Sequence, residues 1–221
     1  MNIMDIIGPV MVGPSSSHTA GAVKIGQISR KLLAEPVQQA EICFHGSFLA
    51  TGKGHGTDRA LVAGLLGLAV DDENIPNSFA IAAERNLTFS IHGIDLGDAH
   101  PNTVKMKLTG ESGRTLEIVA ASIGGGQIRI CEIDGLTANF CGEYPTLIVH
   151  NLDQPGHVTE VTSMLAHKSV NIATMQLYCD SRGGNAVMVI ECDQEVPQEA
   201  IRWLEHLEGI EKVTYLSLEE S

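Results

Sequence analysis

Thr-Leu-Ile-Val-His-Asn-Leu-Asp-Gln-Pro-Gly-His-Val, residues 146–158, runs an apolar stretch into a turn and then into a helical pattern. Thr146–Asn151 reads as a short strand, and Asp153-Gln154-Pro155-Gly156 supplies residues that favour a turn. Val158, Val161 and Leu165 then recur at helical spacing, with Met164 beside them. Further on, Ile172–Asp180 alternates Ala173, Met175, Leu177 and Cys179 with Thr174, Gln176 and Tyr178, the two-residue period of a strand. Ser181-Arg182-Gly183-Gly184 is a hairpin signal. Ala186–Ile190 is apolar throughout, as a strand buried on both faces would be. Pro197 is suited to start a helix whose buried stripe is Ile201, Leu204 and Leu207, and Val213–Ser217 is a last strand. The order β-α-β-β-α-β over roughly 75 residues is the ferredoxin-like split βαβ arrangement.

Working back from there, Cys141-Gly142-Glu143-Tyr144-Pro145 is a short link bounded by Gly and Pro. It divides the chain into residues 1–142 and 145–221. The first part reads as mixed α and β. Helices are expected over Ala20–Leu33, Asp58–Val70 and Asn77–Arg85. Strands are expected at Ala40–His45, Leu87–Ile91, Thr103–Thr109, Arg114–Ser122 and Gln127–Ile133. Helices early and strands late point to an α+β layer.

Of the 221 residues 43% are hydrophobic and 19% charged, the balance of a packed domain rather than a disordered one. The net charge of −13 disfavours non-specific binding to nucleic acid, which depends on Lys and Arg neutralising phosphates. No run of 18 apolar residues is present, so no membrane span is expected. The N-terminal MNIMDIIGPV lacks the basic-then-apolar pattern of a signal peptide. Five cysteines, none spaced C-x-x-C, fit free thiols in a reducing cytoplasm.

Four segments could carry chemistry. Gly13-Pro14-Ser15-Ser16-Ser17-His18-Thr19-Ala20-Gly21 sets hydroxyls and an imidazole just before a helix, where unpaired N–H groups favour a carboxylate or phosphate. One serine is enough for an N-cap; three with an adjacent histidine exceed that need. Thr51-Gly52-Lys53-Gly54-His55-Gly56-Thr57-Asp58 lacks the P-loop pattern. It reads either as a Gly-rich approach to a ligand presenting His55, Thr57 and Asp58, or as a turn capped by Thr57 or Asp58. Ile91–Asn102 holds His92, Asp95, Asp98, His100 and Asn102 without a strong zinc spacing, and His100-Pro101-Asn102 is its most suggestive part. Ser122-Ile123-Gly124-Gly125-Gly126 reads first as a hairpin turn, second as a close backbone approach to a ligand.

The C-terminal pattern, with its D-x-P-G turn and G-I-E-K-V before the final strand, resembles the ACT domain, a module that often binds amino acids and often dimerises. G-P-S-S-S-H-T-A-G, G-H-G-T-D, H-P-N and S-I-G-G-G, in this order and ahead of such a domain, resemble the beta subunit of bacterial iron–sulfur L-serine dehydratases. The first domain is also similar to the allosteric substrate-binding domain of some phosphoglycerate dehydrogenases. The resemblance implies deamination of L-serine to pyruvate and ammonia. It also implies a 4Fe–4S cluster acting as Lewis acid and held by an alpha subunit, so that no metal is bound by this chain. Cys43, Cys131, Cys141, Cys179 and Cys192 are scattered, whereas a cluster needs grouped ligands.

On that basis the catalytic candidates are His55, Thr57 and His18. The substrate-binding candidates are Ser15, Ser16, Ser17, His18, Asp58, His100 and Asn102, with Ser15–Ser17 as the carboxylate clamp. Asn151, Asp153, Gly156 and His157 are the candidates for an effector or a monovalent cation in the ACT domain. The implied partners are the alpha subunit, L-serine and a second beta chain through ACT contacts. Two readings compete: a stand-alone regulatory amino-acid binder, and a metal-dependent hydrolase built on His18, His55, His92 and His100.

Overall fold

Apolar residues on one face of the first helix, α1 (Gly21–Leu33), build the centre of the N-terminal half: Ala22, Val23, Ile25, Leu32 and Leu33 are buried. Burying each of the Val, Ile and Leu side chains contributes about 1.5–3 kcal/mol. The structure, a computed structural model, describes residues 10–218. The reading of MNIMDIIGPV as free of a signal peptide falls on residues 1–10, of which 1–9 lie outside the described residues. Two compact units follow one another along the chain, Met1–Asp134 and Gly135–Ser221.

In the first unit a π-helical turn, Ser16–Ala20, runs directly into α1. Strand β1 (Val37–Phe44) follows, then α2 (Gly46–His55), α3 (Thr57–Leu65), a 3-10 turn at Ile75–Asn77 and α4 (Ser78–Glu84). Strands β2 (Thr88–Gly93), β3 (Thr103–Gly110), β4 (Thr115–Gly124) and β5 (Gln127–Ile133) complete it. The strands lie in the order β2-β1-β3-β4-β5. β1 and β2 are parallel, joined through the three helices as a parallel pair requires, and the remaining pairs are antiparallel. Val104, Met106 and Leu108 of β3, with Leu116 and Ile118 of β4, are fully buried.

Three expectations change. The Gly-rich segment around Gly52 and Gly54 is not a turn but the second half of α2. A helical Gly costs about 1 kcal/mol relative to Ala. Here tertiary contacts outweigh that: Phe48 is fully buried, and Gly52 packs so closely on Thr57 that an added Cβ would stand 3.3 Å from the Thr57 Cβ, tighter than ordinary contact. Nor do Thr57 or Asp58 cap the next helix, because the N-cap of α3 is Gly56, whose left-handed backbone (φ +66°) also closes α2. The helix expected over Asp58–Val70 stops at Leu65, with Gly67 at φ +84° beyond it. The Gly124–Gly126 run is the hairpin turn between β4 and β5, all three residues having positive φ.

The second unit contains β6 (Leu136–Phe140), β7 (Thr146–Leu152), α5 (His157–His167), β8 (Ile172–Cys179), β9 (Asn185–Cys192), α6 (Gln198–Leu204) and β10 (Ile210–Leu216). From β7 onward this is the split βαβ order, and the sheet runs β10-β7-β9-β8, all antiparallel. Leu147, Val149, Met188, Ile190 and Val213 from the sheet pack with Val161, Leu165, Ile201 and Leu204 from the helices. The apolar run Ala186–Ile190 occupies an interior strand and is buried throughout, whereas β8 lies at the edge and leaves Leu177 exposed. The fold class is α+β.

Candidate functional site

Backbone geometry at Ser15 starts the site. Its extended conformation (φ −143°, ψ 122°) turns the hydroxyl back to accept the His18 N–H at 3.1 Å, so Ser15 is the N-cap of the π-turn. This puts the His18 ring against α2. Its Nε2 lies 3.1 Å from Ser47 Oγ and 3.0 Å from Thr51 Oγ1, and its Nδ1 lies 3.4 Å from Ser15 Oγ. Ser47 and Thr51 are neighbours one helical turn apart. The ring of His55, one turn further along α2, stacks on His18 with centroids 4.8 Å apart, and Phe48 meets His18 edge-on at 5.5 Å. His55 Nδ1 donates to the Thr51 carbonyl at 3.1 Å, and the His55 carbonyl accepts from Thr19 Oγ1 at 3.2 Å. Both histidines are half-buried, open enough to meet a ligand. Burial, with the charge of His55 beside it, holds the His18 imidazole below its ordinary pKa of 6.5, against a raising contact with the Ser47 backbone. The ring is therefore neutral near pH 7.

The other two motifs hold this arrangement in place. Among the unpaired N–H groups at the start of α2, those of Ser47 and Phe48 donate to the Pro101 carbonyl at 2.6 and 3.3 Å. The H-P-N loop thus caps the helix that carries Ser47, Thr51 and His55. Gly46 makes the approach possible, since a Cβ there would stand 2.6 Å from Pro101 O. His100 Nδ1 accepts the Asn102 N–H, and the His100 carbonyl accepts from Thr103 Oγ1. The Asn102 carbonyl accepts the Ser122 N–H at 3.0 Å. Ser122 Oγ sits beneath the start of α1, 2.1 Å from where a Cβ on Gly21 would be. The H-P-N and S-I-G-G-G segments thus brace the start of α2, which carries His55, and the start of α1, which follows His18.

The candidates separate accordingly. His18, His55 and Ser15 form one connected cluster, and Ser16 and Ser17 are half-buried in the same turn. Thr57 is fully buried at the start of α3, and its hydroxyl has no partner among the described residues. Asp58 is half-exposed and accepts from the N–H of Arg59. His100 is exposed and serves its own loop, while Asn102 is half-buried. His92 lies on β2 opposite Cys43 of β1, in no contact with the cluster in any described bond. Sequence reasoning missed Ser47, Thr51 and the Pro101 carbonyl. The only signal for the first two was their four-residue spacing ahead of the glycines.

Among the described residues no group of three or more His, Cys, Asp or Glu side chains could hold a metal ion. The five cysteines are free, and every thiol is pushed above its usual pKa, first by burial. Thiolates, not thiols, bind iron, so this donor set does not fit a 4Fe–4S cluster.

In the second unit Asp153 spends its carboxylate on the Gly183 N–H at 2.9 Å, and its own N–H donates to the Gly184 carbonyl. Gly156 has φ +115°, which a side chain would strain. Asn151 and His157 are buried. Asn151 Nδ2 donates to the Leu152 carbonyl, and His157 Nδ1 lies 3.1 Å from Glu160. Asn151 Oδ1 and His157 Nε2 have no partner among the described residues, and Gly209 packs against that nitrogen, since a Cβ there would stand 2.5 Å from it.

The family model "Serine dehydratase beta chain" matches residues 2–86, which include the π-turn and α2. The "Probable L-serine dehydratase, beta chain" of Bacillus subtilis is 38% identical over 216 residues, 98% of each chain. The "L-serine dehydratase, beta chain" of Peptoniphilus asaccharolyticus is 38% identical over 88% of each. The D-3-phosphoglycerate dehydrogenase of Bacillus subtilis is 29% identical over 89% of this chain but only 37% of its own length. With two such relatives matched nearly end to end, the chain belongs to the L-serine dehydratase beta-chain family.

Proposed function

We propose that the His18–His55 cluster is this subunit's share of a dehydratase active site that acts on L-serine together with an alpha subunit. As a member of its family the chain is a subunit of an L-serine ammonia-lyase. The reaction removes the Cα proton and the β-hydroxyl of serine, giving pyruvate and ammonia. The observation that carries the reading is a pair of half-buried imidazoles in contact, His18 in the π-turn before α1 and kept neutral near pH 7 by its burial, His55 at the end of α2, with hydroxyls around them. A neutral imidazole can accept the Cα proton. Ser15–Ser17 and the first N–H groups of the π-turn favour a carboxylate. Asp58, His100 and Asn102 complete the proposed substrate set. The 4Fe–4S cluster is assigned to the alpha subunit, since the cysteines here do not fit one.

Residues 145–221 are proposed to be an ACT domain that regulates the enzyme and joins beta chains. Support comes from the split βαβ topology and from the unpartnered polar atoms of Asn151, near the end of β7, and His157, at the start of α5. A small amino acid or a monovalent cation bound near Asn151, Asp153, Gly156 and His157 is the proposed effector. Cytoplasmic location is part of the same proposal.

Anaerobic co-purification with the alpha subunit, followed by a pyruvate assay on L-serine, tests the central claim. Activity is expected in the complex and in neither chain alone. His18→Ala and His55→Ala complexes should assemble but lose turnover. Full turnover in both variant complexes would overturn the assignment.

A further inference from the structure

Thr51 touches both histidines, with different atoms. Its backbone carbonyl lies 3.1 Å from His55 Nδ1. A carbonyl only accepts, so that ring nitrogen carries the hydrogen, and in the neutral ring His55 Nε2 is the bare one. Its hydroxyl oxygen lies 2.9 Å from the Ser47 carbonyl and 3.0 Å from His18 Nε2. A hydroxyl has one hydrogen. If His18 Nε2 were bare, two acceptors would compete for it. With Thr51 committed to the Ser47 carbonyl, Ser47 Oγ could still donate to Nε2, but the Thr51 oxygen at 3.0 Å would then face the ring's lone pair with no hydrogen between them. If Nε2 carries a hydrogen, every contact is satisfied: Thr51 donates to the Ser47 carbonyl, and His18 Nε2–H donates to Thr51 Oγ1 with Ser47 Oγ 3.1 Å away. His18 Nδ1 is then the bare nitrogen, facing the Ser15 hydroxyl at 3.4 Å.

We infer that Thr51, helped by Ser47, is a positioning residue that sets the two stacked histidines in opposite tautomers, His18 as Nε2–H and His55 as Nδ1–H. The basic lone pairs of the cluster are thereby fixed at His18 Nδ1 and His55 Nε2. Such control matters because which ring nitrogen is protonated is set by the bond the other makes. The inference deepens the dehydratase reading and rests on it for its consequence in turnover, though not for the tautomers themselves. It also gives each half of Thr51 a separate task. Removing the hydroxyl should release His18 and leave His55 unchanged, because the carbonyl stays.

The test has two parts. The full beta chain, labelled with 15N-histidine, reports each ring's tautomer from its imidazole nitrogen shifts above pH 7. The wild-type chain should show His18 with a bare Nδ1 and His55 with a bare Nε2. Thr51→Val should lose the first signature and keep the second, and Thr51→Ser should restore it. In the complex with alpha, Thr51→Val should lower kcat on the order of ten- to a hundredfold, within what a general base contributes, with KM little changed and Thr51→Ser near wild type. A bare Nε2 on wild-type His18, or a Thr51→Val chain with His18 unaltered, would overturn the inference. Full turnover in both the His18→Ala and the His55→Ala complexes would instead remove the reading of this cluster as the active site, while the spectrum would still decide the tautomers.

Discussion

Gly64 of α3 lies so close to Val23 of α1 that a Cβ on the glycine would stand 2.1 Å from the Val23 carbonyl oxygen. The approach is mutual, since a Cβ on Gly26 would stand 2.4 Å from the Leu61 carbonyl. Backbone, not a flexible side chain, is what each would strike. Gly64→Ala should therefore separate the helices and destabilise the first unit by about 1–3 kcal/mol, despite the better helix propensity of Ala. A urea unfolding curve checks this; an unchanged midpoint would mean the helices can part without loss.

Thr57→Val separates a structural from a catalytic role for that residue. Its hydroxyl is buried and has no partner among the described residues, so replacing it by a methyl should leave stability within about 1 kcal/mol of wild type or raise it. If the proposed catalytic role holds, kcat of the complex should fall all the same. Unchanged kcat in a stable Thr57→Val complex would retire Thr57 from the site.

Acidity gives a third expectation. The folded pKa of His18 lies below 6.5, so between that lowered value and 6.5 the unfolded chain binds a proton that the folded chain does not. The contribution of His18 then makes stability fall as pH drops through 6.5 and level off below the folded pKa. His18→Gln should flatten that part of the stability curve. An identical slope in the variant would show that other groups cause it.

Thiol labelling probes the second unit. Cys192 is fully buried and its thiol is pushed up to about 11, chiefly by burial. Cys179 is exposed. Under native conditions near pH 8 an alkylating reagent should leave Cys192 intact, and modification should appear only on unfolding. Rapid native labelling of Cys192, mapped by mass spectrometry, would show that the β9 end opens locally.

The elements legible in the sequence were those whose local pattern and tertiary setting agree. Ala186–Ile190 is apolar because it occupies an interior strand, and Pro197 stands where it was expected, at the N-cap of α6. The second half of α2 was illegible because Gly52 and Gly54 oppose a helix locally, and what holds it, the Pro101 carbonyl and the burial of Phe48, is distant in sequence. β6 escaped notice because Leu136–Phe140 is short and only Ala138 and Phe140 are buried. At the site, His18 and His55 stood out as chemistry-bearing residues in unusual company. Ser47 and Thr51 did not, since a hydroxyl one turn from another is unremarkable until a ring is placed between them.

Gly56 ends one helix and begins the next with no residue to spare. The last carbonyls of α2 thus have no further helix to bond, and that of His55 is taken by Thr19 instead. The meeting of the two imidazoles is therefore tied to a stop codon of sorts in the backbone. Moving that stop by one residue would swing whatever follows it by about 100° around the helix axis. In this family tree of sequences, insertions and deletions should be far scarcer between Ser47 and Gly56 than in the exposed turn at Gly113, where nothing crowds an added side chain.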